Sequence, residues 1–333
     1  MAYTTIDDPE AYFQAKTYSG NGSTQSITLD ADTDMQPDLV WIKAKAGDNI
    51  SNWRSVDSVR GATIELFQDS NVAEETNTNG LTAFNSDGFS LGNSAGTNEG
   101  GTTYGAWCWK ESATAGFDID ASAGTGSART EAHSLSAVPN FIIIKNRDAA
   151  DSWQVYHSAN TAAPETDYLV LNDGAAATQD AADRWNDAAP TSSVFSLGDG
   201  DEVNTNTENY IAYLWRSVQG FSKFSSYTGN GNADGPFIYL GFKPAFFLVR
   251  RSDVSNFWGL FDNKRSPHNL VEDRLWLNEN SAESDGQEVD FLSNGIKIRA
   301  TNSYWNTSGG TYIYMAFAEA PFVNSNGVPC NAR

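Results

Sequence analysis

The sequence predicts an all-β protein made of three tandem, jelly-roll-like β-sandwich repeats of about 100 residues each. Three observations carry this. A glycine-rich turn recurs as Gly20-Asn21-Gly22-Ser23, Gly124-Thr125-Gly126-Ser127 and Gly229-Asn230-Gly231-Asn232. A proline then precedes an apolar run at Pro37, Pro139 and Pro244, and a tryptophan follows at Trp53, Trp153 and Trp258. The proline steps (139 − 37 = 102, 244 − 139 = 105) match the tryptophan steps (153 − 53 = 100, 258 − 153 = 105), and such agreement between independent markers is the signature of duplicated domains.

The elements follow in order. Residues 1–14 form a polar N-terminal segment. Repeats span 15–113, 114–218 and 219–322, and 323–333 is a C-terminal tail. In each repeat the Gly-x-Gly element supplies the positive φ angles that a tight hairpin needs. The proline stands at a strand start, where a missing N–H is tolerated. Leu39-Val40-Trp41-Ile42, Phe141-Ile142-Ile143-Ile144 and Phe246-Phe247-Leu248-Val249 are the apolar strands that follow. Trp153-Gln154-Val155-Tyr156-His157 alternates as a half-buried strand should. Phe89-Ser90-Leu91, Phe195-Ser196-Leu197 and Ile296-Lys297-Ile298 alternate in phase, and closing strands begin at Tyr104, Tyr210 and Tyr312. About seven strands per repeat are enough for a sandwich with its own core. Three sandwiches in series is therefore expected, in preference to one body to which each repeat supplies a third. The only helix expected is Gln179 to Asn186.

Composition narrows the partners. Lys+Arg 21 against Asp+Glu 42 gives a formal charge of −21, which opposes nucleic acid and anionic membranes alike. The apolar runs end at Lys43, Lys145 and Arg250, too short to span a bilayer, so membrane insertion is not expected. The first sixteen residues carry Asp7, Asp8 and Glu10 and resemble no signal peptide, which implies that the chain stays in the cytosol where it is made unless it leaves inside a particle. Of two cysteines, Cys108 lies mid-strand and reads as a buried thiol, and Cys330 lies in the tail.

Tyr18-Ser19-Gly20-Asn21-Gly22-Ser23-Thr24-Gln25-Ser26-Ile27, Gln36-Pro37-Asp38-Leu39-Val40-Trp41-Ile42-Lys43 and Trp53 to Ala62 resemble an uncharacterised repeat domain of tail-fibre-like, virion structural proteins of marine tailed bacteriophages. Ser152 to His157, Tyr168 to Asn172, Ser193 to Gly198, Gly220 to Phe224 and Tyr227 to Gly231 share the likeness, which covers nearly all of residues 3–322. The resemblance implies a non-enzymatic virion structural protein, foremost a tail fibre or adhesion appendage contributing to host attachment. Capsid decoration or a head fibre is the alternative, and a glycan-binding or glycan-degrading protein a second. It implies copies of itself as partners (a trimer being the usual fibre symmetry), other virion proteins and a host-surface glycan. The place implied is the tail or outer surface of the virion, after synthesis in the host cytoplasm. The family brings no catalytic residue and no cofactor to carry over.

Trp53, Trp153 and Trp258 recur, which predicts core filling; Trp41 reads the same way, with Ile143 and Leu248 in its place elsewhere. Lys43, Lys145 and Arg250 are expected to end strands at the surface. The loop before each closing strand keeps its length while its residues change, and variable loops on a fixed scaffold are where specificity resides. In the third repeat it carries Tyr304, Trp305 and Asn306, the leading binding candidates, with Trp185 of the second repeat behind them. Three readings are open for these rings: contact with another protein chain, glycan stacking, and local packing. Asp30, Asp32 and Asp34, and Asp199, Asp201 and Asn204, offer oxygen ligands for Ca²⁺ without a complete ligand loop, so surface turns are expected and no metal is assigned. His133, His157 and His268 lack metal-ligand spacing, no nucleophile elbow or phosphate loop is present, and no enzyme is expected.

Overall fold

The computed structural model describes residues 3–47, 49–179, 181–286 and 288–331. The chain is all-β, with antiparallel sheets and helices no longer than a single turn. In the first segment the large sheet runs, in spatial order, Phe13–Ser19, Thr103–Trp109, Leu39–Ala46 and Arg54–Asp57: opening, closing, proline and tryptophan strands. The second segment repeats that order with Phe117–Ala123, Asn209–Trp215, Phe141–Asn146 and Gln154–His157, then adds Asp167–Val170 and Thr178–Gln179. The third repeats it with Ser222–Thr228, Thr311–Pro321, Phe242–Arg251 and Gly259–Asp262, then adds Leu275–Trp276. Register agrees as well, since Leu39, Phe141 and Phe246 face Trp109, Trp215 and Phe317.

A smaller sheet covers one face of each large one. Its strands are Gln25–Ile27, Gly88–Leu91 and Leu81–Asn85, then Arg129–Ala132 with Val194–Leu197, then Phe237–Tyr239, Gly295–Ile298 and Val289–Leu292. Each pair of sheets encloses its own core: Val40 and Ile42 point into the first, Ile142 and Ile144 into the second, Phe247 and Val249 into the third.

The arrangement goes beyond sandwiches in series. The alternate residues of the same strands, Leu39 and Trp41, Phe141 and Ile143, Phe246 and Leu248, all enter one further core shared by the three segments. There Trp109 lies 6.3 Å from Trp215, 5.8 Å from Phe246 and 5.9 Å from Phe317, ring centroid to centroid. The expectation that each segment is self-sufficient fails on this point, because a strand with side chains on both faces buried needs a cover on each. Truncating one such ring to alanine costs about 3–5 kcal/mol.

Smaller departures have local causes. Pro244 sits inside its strand, not at the start, where register shifts at Lys243/Pro244 and Pro244/Phe246 absorb the missing donor. The N-terminal segment ends sooner than expected, since Phe13 already pairs with Trp109. Ile6 is part of the shared core, and Asp7 accepts from the Ser325 amide at 2.6 Å, so the segment before the first strand touches the one after the last. The expected helix shrinks to Ala182–Trp185, stopped by Asn186 in a left-handed conformation, while residue 180 falls outside the described residues.

Candidate functional site

The loops before the closing strands repeat more than their length. Asn98, Asn204 and Asn306 occupy one equivalent position, and each is fully buried. Their side-chain oxygens accept from Asn21 N at 3.0 Å, Thr125 N at 2.8 Å and Asn230 N at 2.7 Å, the second residue of each glycine-rich turn. Their amides donate to Gly92 O, Gly198 O and Ala300 O. Tyr104, Tyr210 and Tyr312 complete the device: each hydroxyl donates to Ala95 O, Asp201 O or Ser303 O and accepts from Glu99 N, Thr205 N or Thr307 N. The turn must come close, because a Cβ on Gly20, Gly124 or Gly229 would lie 2.1, 2.0 or 2.2 Å from the carbonyl oxygen of Glu99, Thr205 or Thr307.

The recurring tryptophans do more than fill space. Trp53 donates to Trp276 O at 2.8 Å, Trp153 to Phe67 O at 2.8 Å and Trp258 to Val170 O at 3.2 Å. The first segment thus bonds to the third, the second to the first and the third to the second. A backbone bond follows the same circuit: Glu283 N to Lys45 O, Glu74 N to Arg147 O and Ala177 N to Ser252 O, at 2.9, 2.9 and 3.0 Å. Charge reinforces two of these seams, through Arg147 on Glu74 at 2.8 Å and Lys45 on Glu283 at 3.3 Å.

A third circuit joins the same three segments. Tyr213 donates to Asp57, Trp107 donates to Asp262 at 3.1 Å, and His157 Nε2 lies 3.1 Å from Tyr314 O. Asp57 and Asp262 are each clamped by an arginine three residues on, Arg60 and Arg265, both at 2.6 Å and all buried. His157 Nδ1 accepts from Ala159 N at 3.1 Å, which fixes the neutral ring with its proton on Nε2. Burial pushes its pKa down to about 4.

Several expectations need correction. Lys43, Lys145 and Arg250 do not end strands at the surface; all three are fully buried and their cations bind carbonyls. Lys43 donates to Ser51 O, Lys145 to Ala149 O, and Arg250 reaches into the second segment to Val170 O and Gly174 O, both at 3.1 Å. Desolvation lowers the two lysines to about 8. Trp305 is likewise buried, stacked on Trp276 at 5.4 Å, and Tyr304 is partly buried against Phe257 and Trp276. Trp305 fills space left by Gly259, where a Cβ would lie 1.9 Å from the indole. Asn306 is spent on the glycine-rich turn. Trp185 packs edge-on to Tyr156 at 5.9 Å and donates to Asp167 O. Local packing is therefore the reading the geometry supports for all four. Of the acidic groups, Asp30 pairs with Lys16 and Asn204 serves its turn.

The open surface offers two clefts between the second and third segments. One of about 800 Å³ is lined by Asn160, Thr161, Asp167, Ser252, Asp253 and Thr311, among others; another of about 460 Å³ lies beside Asn172, Asn256 and Phe257. Elsewhere Glu111 is raised to about 7 by burial and then by its hydrogen bond to Asp118, and Asp120, two residues along the same strand from Asp118, is raised to about 6 chiefly by burial. No cluster of three metal-binding side chains and no helix long and apolar enough to cross a membrane occurs among the described residues.

One family profile, described as a domain of unknown function (DUF7483), matches residues 8–321, through all three segments at once. The chain belongs to that family. No curated protein matches the sequence. The DUF7483 profile thus takes in every residue of the three circuits and treats the ring of segments as one domain.

Proposed function

We propose that the chain is a non-enzymatic structural component of a bacteriophage virion, carried on a tail fibre or related adhesion appendage and contributing to host attachment. What supports the reading, beside the resemblance of its repeats to tail-fibre-like proteins, is the use made of recurring residues. The tryptophans, asparagines and tyrosines that repeat are spent on holding segment to segment and turn to loop, and of the recurring cations Arg250 also crosses a seam. Such a body serves by presenting a fixed outer surface. Other virion proteins and a host-surface glycan are its partners on this reading. A homotrimer, the usual symmetry of a fibre, would assemble through outer faces, because the inner ones are taken within the chain. Capsid decoration is the alternative.

Gold-labelled antibody against the pure protein, applied to intact particles of the phage that encodes it, tests the proposal. Label on the tail is the expected result. Label over the shell transfers the chain to the capsid, and particles without label, with the protein only in the soluble lysate, reject a virion role.

A further inference from the structure

Phe237 and Tyr239 are the large aromatic side chains that stand about half exposed, 46% and 49%, among the described residues. They are alternate residues of an edge strand paired on one side only, so both rings leave the same face while Ile238 between them enters the core. The feature belongs to the third segment alone. Phe237 faces Lys297, and the matching pairs are Ser26 with Ser90 and Thr130 with Ser196. Tyr239 faces Gly295, where the second segment pairs Ala132 with Val194.

Beside the rings lies a groove of about 390 Å³, whose polar rim is formed by Tyr3, Ser217, Gln219, Lys223, Ser225 and Tyr239. Tyr239 is held in place before any ligand arrives. Lys223 donates to its carbonyl at 2.6 Å with the ammonium 5.6 Å from the ring centroid. Tyr3 donates its single hydroxyl proton to Gly241 O at 2.8 Å, so in the 3.2 Å contact between the two phenols Tyr239 is the donor. The Tyr239 oxygen therefore keeps lone pairs for an incoming hydroxyl, and Lys223 keeps two ammonium protons.

We propose that this face binds a neutral carbohydrate, with one sugar ring on Tyr239, a neighbour against Phe237, and hydroxyls directed into the groove. Two rigid rings beside hydroxyl, amide and ammonium groups suit a ligand with apolar faces and a polar rim. A net charge of −21 opposes a polyanion. Two rings and one groove fall far short of the roughly 800 Å² per partner that a stable protein interface needs. The inference is independent of where in a virion the chain resides.

An array of neutral oligosaccharides probed with the intact protein, followed by calorimetric titration of the best binder, tests it. Tyr239→Ala and Phe237→Ser are expected to weaken binding at least tenfold, with near-ultraviolet circular dichroism unchanged, while Tyr304→Ala binds as the parent does. Phe237→Ser, which installs the residue found at Ser26, serves should Tyr239→Ala not fold. The proposal fails if no oligosaccharide binds at millimolar concentration, or if Phe237→Ser binds undiminished. It also fails if sedimentation shows a dimer that Phe237→Ser abolishes, since the rings would then serve a second copy of the chain.

Discussion

Tyr213 and Asp57 are 156 residues apart in the chain and 2.7 Å apart in space, phenol to carboxylate, with Arg60 closing on both. The contact is buried and joins two segments, so its loss takes one hydrogen bond from each member of the buried Asp57–Arg60 pair while the pair itself stays closed. Tyr213→Phe is expected to lower unfolding free energy by about 1–3 kcal/mol in urea titrations. A loss below about 0.5 kcal/mol, the size of an ordinary surface change, would show that the circuit contributes nothing.

The shared core sets a second expectation. Because Trp109, Trp215 and Phe317 pack together, the three segments should unfold in one transition that fluorescence and circular dichroism report alike. Residues 114–218 made alone should lack near-ultraviolet signal and dispersed NMR resonances. Separate melting steps, or a folded fragment, would restore the picture of independent sandwiches.

Gly259 and Trp305 test packing by a double-mutant cycle. Gly259→Ala drives a methyl group into the indole and should cost about 1–3 kcal/mol by overpacking. Combining it with Trp305→Val, the residue the second segment places at Val203, should return part of that loss as a favourable coupling energy. Additive losses would mean that the two sites relax separately.

His157 predicts an acid sensitivity of known sign. Its folded pKa of about 4 lies below the ordinary value of 6.5, so between these limits the unfolded chain binds a proton that the native state refuses. Stability from this group is present above pH 6.5 and falls as the pH drops toward 4, by about 3 kcal/mol. Asp69 and Asp120, both raised to about 6 chiefly by burial, act in the opposite sense over part of the same range. The measurement is therefore the difference between parent and His157→Gln in urea titrations at pH 7 and 4.5. Parallel pH dependences of the two proteins would refute the assignment.

The strands were legible because duplication wrote each marker three times. Their burial on both faces was legible too: Leu39 to Ile42 and Phe141 to Ile144 are unbroken apolar runs, whereas a strand with one wet face alternates. Asn98, Asn204 and Asn306 were hidden among neighbours that change freely, since Thr97, Val203 and Trp305 precede them. The seams were not legible at all. An indole that donates to a backbone carbonyl, as Trp153 does to Phe67, leaves no demand on the partner's side chain and so no pattern to read. Nor does an aromatic pair in a loop announce whether it is exposed; Trp305 went inward because Gly259, far off in sequence, left room.

A linear string of repeats can gain or shed a copy by recombination, since each new member merely stacks on the last. Here every member already has a neighbour on both sides, the third meeting the first through Trp53 and Trp276. A fourth copy inserted between two of them would have to open one of these seams.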